Sequence, residues 1–233
     1  MKTHHQIGRV PGALGLLIVV AGMLMLEGKA SAQVLVYTDV GSYDSASKNN
    51  TTVTFNTLAS SGSDTTYSDT TGVTTQGVTF TANSNTTALF AAASNFGGSA
   101  YSFPGDSTVT LEAQGYYVMP PAVLATLPTG GDSAVALNIG GQQFASSVTA
   151  LLTFSDGTTY TDTFSTPDAQ TSGLGFIGFA TTNGLTIKSI SFTDNTAVNN
   201  DRYLAIDNFA YGTSTAAVPE PSSVLLMGLG LGA

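Results

Sequence analysis

Short segments in which apolar and hydroxyl side chains alternate with a period of two most constrain what this chain can fold into. Because successive side chains of a strand point to opposite faces, each segment would present one apolar face and one Thr/Ser face. Clusters of Gly, Asn, Asp, Ser and Pro separate the segments. We therefore predict an all-β fold, an antiparallel β-sandwich of the jelly-roll type with eight or more strands over residues 33–212. The clearest segments are residues 51–55, 77–82, 108–113 and 134–139.

Local signals within this region predict one hairpin and two bulges. Residues 148–155 and 158–164 flank Asp156-Gly157, which predicts a two-residue type I′ turn. A change of apolar parity within residues 185–192, and again within 204–211, predicts β-bulges in the last two strands. Only residues 88–94 show a weak helical period.

The charge and residue inventory excludes several functions. The chain has 15 acidic and 6 basic residues, no Cys, no Trp, and only His4 and His5 as histidines. A Ser-His-Asp or Cys-His site therefore cannot form after residue 32, and zinc would lack its usual ligands. The three basic residues in this region, Lys48, Lys188 and Arg202, are too few to follow a phosphate backbone, so we expect no nucleic-acid partner.

The N-terminal residues 1–32 have the pattern of a secretory signal peptide. Lys2 and Arg9 precede an apolar run over residues 13–26, and Ala30, Ser31 and Ala32 end the segment. This order predicts export by the Sec machinery and cleavage by signal peptidase before Gln33. The alternative is an N-terminal membrane anchor, but the apolar run is shorter than the roughly 20 residues that a spanning helix needs.

The C-terminal residues contain a second processing signal. After a linker at residues 213–217, Pro219, Glu220 and Pro221 directly precede an apolar run over residues 224–233. This arrangement resembles the PEP-CTERM sorting segment of exported bacterial proteins; the same tail is also described as the ice-binding protein C-terminal domain. The resemblance implies an exosortase-like transpeptidase as partner, transient anchoring in the inner membrane, and a final place in the cell envelope or outside the cell.

Two further expectations concern this segment. The apolar run is too short to cross a hydrocarbon core of about 30 Å, so we expect the sorting segment of residues 218–233 to be incomplete. The alternative reading is an ordinary proline-flanked linker followed by an apolar tail.

The strand pattern over residues 34–212 adds a weaker resemblance. From residues 51–56 to residues 204–209, the order of strands is similar to the jelly-roll domain common in PEP-CTERM proteins and to galactose-binding-like and carbohydrate-binding modules. That resemblance implies that Asp207 supplies a carboxylate to a structural Ca²⁺, a metal that takes oxygen ligands. Asn56 stands where an acidic ligand is expected. The alternative is that Asp207 and the neighbouring Asx residues stabilise turns.

Three functional hypotheses remain. The leading one is a non-enzymatic structural or adhesive protein of the envelope or the extracellular polysaccharide matrix. The second is a carbohydrate-binding module in which Tyr116 and Tyr117 contact the glycan. The third is a glycoside hydrolase, which can work with two carboxylates; Glu112 would then act with Asp106, Asp132, Asp156 or Asp162.

Overall fold

The computed structural model describes residues 33–82, 88–96, 103–115, 120–128, 132–142, 144–182, 184–196 and 202–216. Within these residues the protein is an antiparallel β-sandwich of the jelly-roll type, as the sequence predicted. The predicted signal peptide and sorting segment lie outside the described residues. None of the helices in the described part is long and apolar enough to span a membrane.

The larger sheet, sheet A, has eight strands in the order β1-β12-β9-β14-β7-β6-β3, and β2 lies along the C-terminal half of β14. Its first and second strands pair with the twelfth and fourteenth, so its register depends on contacts that are distant in the sequence. The strands are β1 (Val34–Tyr37), β2 (Ser47–Val53), β3 (Asp64–Tyr67), β6 (Ala88–Ala93), β7 (Val109–Gly115), β9 (Ala134–Gly141), β12 (Gly175–Thr181) and β14 (Arg202–Ser214).

The smaller sheet, sheet B, has six strands in the order β11-β10-β13-β8-β5-β4. Its side chains alternate between a buried inner face and a Thr/Ser-rich outer face, as in β10, where Val148, Ala150, Leu152 and Phe154 are buried. The strands are β4 (Val73–Thr75), β5 (Val78–Ala82), β8 (Ala122–Thr126), β10 (Ser146–Phe154), β11 (Thr159–Thr166) and β13 (Ile187–Asp194).

The core lies between the two sheets. Phe80 of sheet B packs edge-to-face against Phe55 and Phe209, with ring centroids 5.2 and 5.3 Å apart. Edge-to-face contacts of this kind add stability beyond the burial of apolar area. The apolar side chains that alternate along the sequence therefore lie on the face of each sheet that forms this core.

The outer face of sheet A differs from the prediction, because its middle is buried as well. A short helix, α1 (Val40–Ser45), places the Tyr43 ring over small side chains of β9 and β12. A Cβ on Gly178 would lie 2.6 Å from that ring, so the glycine makes this close packing feasible. A second helix, α2 (Ala169–Ser172), and Phe103 cover Ala205. Sheet A is thus buried on both sides at its centre.

The predicted hairpin and bulges are confirmed, but the predicted turn type is wrong. The Gly157 amide donates to the Phe154 carbonyl (3.0 Å), and the Phe154 amide donates to the Thr158 carbonyl (2.9 Å). Within this connection Gly157 has a positive φ (84°) and Asp156 does not, so the connection is a type I turn followed by a glycine bulge. The bulges fall near Lys188 in β13 and at Asn208 in β14.

Two other sequence expectations need correction. Residues 88–94 are not helical, because the alanine-rich β6 is buried on both faces between β3 and β7. The last strand continues through Ser214, so it runs two residues beyond the predicted domain end at residue 212 and into the predicted linker.

Candidate functional site

The outer face of sheet A carries two candidate sites joined by one strand. The outward side chains of β7 are Thr110, Glu112 and Gln114, in a line along the strand. Gln114 pairs with Tyr203 at one end, and Ile206 pairs with Leu111, which places Asp207 level with Thr110 at the other. We call the first site the aromatic groove and the second the acidic site.

The aromatic groove is a depression of about 190 Å³ between β3, β6, β7 and β14. The Phe90 and Tyr203 rings meet edge-to-face, with centroids 5.8 Å apart and planes at 89°. The Gln114 side-chain amide donates to the Tyr203 hydroxyl over 2.9 Å. The groove therefore combines aromatic surface with an amide, hydroxyls and a carboxylate. Its lining includes Asp64, Thr66, Phe90, Phe96, Gln114 and Tyr203.

The residue order of β6 explains why this face is concave. Phe90 is flanked on the same face by Ala88 and Ala92, whose small side chains leave room beside the ring. The neighbouring β3 is short and contributes Asp64 and Thr66 at the rim. A large side chain between small ones thus produces a groove with an aromatic floor.

Glu112 lies buried beside this groove. Its side chain is fully buried between Phe90 and Ala205, its cross-strand neighbours. Its Oε1 accepts from the Thr110 hydroxyl (2.9 Å), whereas Oε2 has no partner. Burial raises the pKa of Glu112 to about 8, so the carboxyl is mainly protonated at neutral pH.

The predicted carboxylate partners do not complete a hydrolase site. Asp156 is used in the β10–β11 turn, where it accepts from the Thr158 amide and hydroxyl. Asp162 lies on β11 in the other sheet and accepts from the Thr163 amide. Asp106 accepts a hydrogen bond from the Thr108 amide, and no hydrogen bond joins Asp132 to Glu112. A glycoside hydrolase centred on Glu112 is therefore not supported.

The acidic site brings together two carboxylates and one hydroxyl. The Thr108 hydroxyl oxygen is 2.6 Å from Asp106 Oδ1 and 2.8 Å from Asp207 Oδ2. A hydroxyl has only one proton to donate, so it cannot satisfy both carboxylates at once. Asp207 Oδ2 also accepts from the Asn208 amide group (3.1 Å). The other oxygen of Asp207, Oδ1, is buried without a partner.

This environment disfavours the ionised form of the Asp207 carboxyl group. Burial, together with the negative charge of Asp106, raises the pKa of Asp207 to about 7, although the bond from Thr108 acts in the opposite direction. Next to the pair lies an open cavity of about 290 Å³ whose lining includes Asp106, Asn138 and Asn208. The described residues contain no group of three or more His, Cys, Asp or Glu that could hold a metal. Any cation here would therefore need amide or hydroxyl oxygens beside the two carboxylates.

The acidic site extends the sequence prediction, which named Asp207 alone. The sequence does not link the Asp106-Ser107-Thr108 segment before β7 to Asp207, because that contact joins residues far apart in the chain. Asn56 is not part of the site, because its side-chain oxygen accepts from the Val109 amide (3.2 Å). Asp194 has a separate role, accepting from the Ser146 hydroxyl and the Thr196 amide.

Several predicted site residues lie outside the described part of the chain. Gln33 is the first described residue and is exposed. The others are Ala30 and Ala32 of the cleavage site, Tyr116 and Tyr117 of the predicted glycan site, and Pro219, Glu220 and Pro221 of the sorting motif.

Comparison with known proteins gives structural similarity only. No protein-family model matches the chain, and no curated protein matches it. Among solved structures, a mutant of a family 29 carbohydrate-binding module is 13% identical with a TM-score of 0.39, covering 73% of this chain and 98% of the module. A second structure of a family 29 module is 13% identical with a TM-score of 0.38, covering 71% and 97%.

A third, a mutant module in complex with mannohexaose, is 14% identical with a TM-score of 0.38 and covers 67% of this chain and 94% of its own. Because identity and TM-score are both low, these similarities say nothing about the function of this chain.

Proposed function

We propose that the protein is a non-enzymatic glycan-binding module and that the aromatic groove is its binding site. The observation that carries this proposal is the contact of Phe90, Tyr203 and Gln114 at the floor of an open depression. Sugar rings have apolar C–H faces that pack on aromatic surfaces, and their hydroxyl groups bond to amides and carboxylates. The groove provides both types of contact.

The size of the groove favours contact with one face of a chain. At about 190 Å³ it is smaller than the roughly 300–1,000 Å³ of sites that enclose a drug-sized ligand. A polysaccharide would therefore lie across the sheet and press one sugar unit onto the rings. At the rim, Asp64 would accept hydrogen bonds from the sugar hydroxyl groups, and Thr66 would accept or donate them.

Glycan binding by the full chain tests this proposal. A screen of immobilised glycans should give saturable binding, and Tyr203→Ala should weaken it by about tenfold or more, equivalent to about 1.4 kcal/mol. Tyr203→Phe, which keeps the ring, should lose less. Phe144→Ala, which removes an exposed aromatic side chain outside the groove, is the matched control and should bind as the unaltered protein does. Absence of glycan binding, or full binding by Tyr203→Ala, would contradict the proposal.

A second proposal concerns the acidic site, where Asp207 and Asp106 would hold a structural Ca²⁺. The observation that favours it is the unpartnered, buried Oδ1 of Asp207 beside a second carboxylate. Such a buried oxygen costs stability unless it gains a partner. Carboxylate and amide oxygens are the ligands that Ca²⁺ prefers, and Asn138 and Asn208 line the adjoining cavity.

Thermal unfolding with and without Ca²⁺ tests the second proposal. Excess Ca²⁺ should raise the unfolding temperature of the full chain, because a ligand that binds only the folded state stabilises it. Asp207→Asn and Asp106→Asn should each remove most of this increase. Asp44→Asn, an exposed carboxylate on α1, should retain it. An unfolding temperature that does not respond to Ca²⁺ would exclude the site.

We further propose that the module is exported and sorted to the envelope or the extracellular matrix by an exosortase-like enzyme. The support is the sequence at the two ends of the chain, residues 1–32 and the Pro219-Glu220-Pro221 motif. Glycan binding suits such a location, because an envelope or matrix contains polysaccharide.

A further inference from the structure

The free edge of β11 is an unusual feature of sheet B. Within the part of the chain that the structure describes, β11 pairs only with β10, over an uninterrupted register from Ser146–Thr166 to Thr153–Thr159. Phe154 and Thr158 form the hydrogen-bonded pair at the turn. Because such pairs alternate along an antiparallel ladder, the backbone groups of Thr159, Thr161, Thr163 and Ser165 point away from β10. They form a regular row at the edge of the sheet.

The other edge strands among the described residues carry known protections against pairing. Three of them, β1, β3 and β4, have only four, four and three residues. The longer β2 is interrupted where Asn49 has a φ of 55°, and it carries Lys48. Short strands, bulges and lysines are the devices that prevent edge-to-edge association. By contrast, β11 has eight residues without Lys, Pro or bulge.

We propose that the free edge of β11 pairs with β11 of a second copy of this chain. The two strands would run antiparallel about a two-fold axis, and the two six-stranded sheets would become one continuous sheet. The partner is a second copy because the other edge strands of the described chain are shorter than β11 or interrupted. Pairing of identical edges uses both edges up, so it gives a dimer and not a filament.

The side chains of β11 select one register. If Asp162 faced its own copy, two like charges would lie directly opposite, which is destabilising. When the two-fold axis passes between the two Thr161 residues, Asp162 of each copy instead lies opposite Tyr160 of the other copy. The same contact therefore occurs twice. Each carboxylate then meets a phenolic hydroxyl that can donate a hydrogen bond. Charge and hydrogen bonding thus both favour the register centred on Thr161.

Asp162 also affects how readily β11 pairs with a second copy. In the single chain its Oδ1 accepts from the Thr163 amide over 2.9 Å, which occupies one of the outward donors. Dimerisation exchanges this bond for one to the second copy. The formal charge of −9 adds repulsion between copies. We therefore expect the dimer to be weak at low ionic strength and stronger near 0.15 M salt, where the Debye length is about 8 Å.

A cysteine cross-link tests the pairing directly, since the chain has no cysteine of its own. In the proposed register the two Thr161 residues form a hydrogen-bonded pair with Cα atoms about 5.5 Å apart, within disulfide range. Full-length Thr161→Cys should therefore give a disulfide-linked dimer under mild oxidation. Thr74→Cys, on the opposite edge of the same sheet, is the control and should stay mainly uncross-linked. Equal cross-linking of both variants would overturn the proposal.

Sedimentation of the full chain over a range of concentrations provides a second measurement. The unaltered protein and Thr161→Ala, which keeps the backbone N–H, should both show a monomer–dimer equilibrium. Thr161→Pro removes an outward N–H and should sediment as a monomer, with thermal unfolding used to verify that it is folded. An unaltered protein that stays monomeric at all concentrations and salt levels, or a folded Thr161→Pro that dimerises normally, would refute the proposal. Since the groove lies on sheet A, these results are independent of glycan binding.

Discussion

Two acidic side chains on the outer face of sheet A are buried with one unpartnered oxygen each. Glu112 lies beside the aromatic groove, and Asp207 belongs to the acidic site. The pKa values of both carboxyl groups are raised by burial, to about 8 and about 7. Both groups therefore take up or release protons near neutral pH, where ordinary carboxylates are fully charged.

The raised pKa of Glu112 predicts a pH-dependent stability. Between the unfolded pKa near 4.5 and the folded pKa near 8, the folded protein binds more protons than the unfolded chain, so the free energy of unfolding falls as pH rises. Above about pH 8 this contribution is lost entirely. Glu112→Gln, which cannot ionise, should flatten the decline and be more stable than the unaltered protein at pH 8, by an amount on the order of a few kcal/mol.

Chemical denaturation at several pH values between 5 and 8.5, about the range that the two pKa values define, measures this effect. Asp44→Asn, at an exposed position, should leave the slope unchanged. The same slope in Glu112→Gln as in the unaltered protein would show that Glu112 does not cause it.

At the residue scale, sequence reasoning found single residues but not their partners. Asp207 was predicted from a resemblance, and the structure adds Asp106 and Thr108, which reach it only because β7 and β14 are neighbours in sheet A. The sequence allows Glu112 to be a catalytic acid, because it does not show that the strand of Glu112 is covered on both faces. Phe90 and Tyr203 were missed for the same reason. Their outward direction depends on register, which is a property of the folded sheet.

At the element scale, the alternation of side chains predicted the strands that have one polar face. In β10 and β5 the inner residues are buried and the outer ones are accessible, as the pattern requires. The pattern is ambiguous for β6, which shows only a weak helical period, because almost every side chain is buried and alanine is compatible with both helix and strand. Periodicity reports burial on one face only, so it cannot identify a strand that is covered on both.

The β10–β11 hairpin gives a prediction at this scale. Gly157 has a φ of 84°, and no atom lies within 4 Å of the position that a Cβ would occupy. Gly157→Ala should therefore lower the free energy of unfolding by about 1–2 kcal/mol through backbone strain alone. Denaturant titration of the full chain measures the change.

Gly41→Ala is the matched control, because Gly41 lies in helix α1 and an added Cβ would make only an ordinary van der Waals contact there. Alanine is favoured over glycine in helices, so this variant should be equally stable or up to about 1 kcal/mol more stable. A Gly157→Ala protein as stable as the Gly41→Ala protein would argue against a strained position in the turn.

At the scale of the whole molecule, the sorting proposal predicts the fate of the exported chain. Replacing Pro219, Glu220 and Pro221 with Ala should abolish C-terminal processing in the native host and change where the protein accumulates. The fixed φ angles of two prolines disfavour a helix at the motif, and we expect a transpeptidase to need an extended peptide. Replacing Ser222 and Ser223 with Ala is the control and should leave processing intact. Unchanged processing in the triple variant would reject the sorting proposal.

The pairing of β1 with β12 and of β2 with β14 has a consequence for the timing of folding. The first two strands after Gln33 have no partner until the last part of the sandwich is available, and contacts so distant in sequence form slowly. In a chain exported N-terminus first, both strands would therefore stay unpaired until almost all of the chain has emerged. The sandwich would then be completed by its first two strands only when translocation is nearly finished.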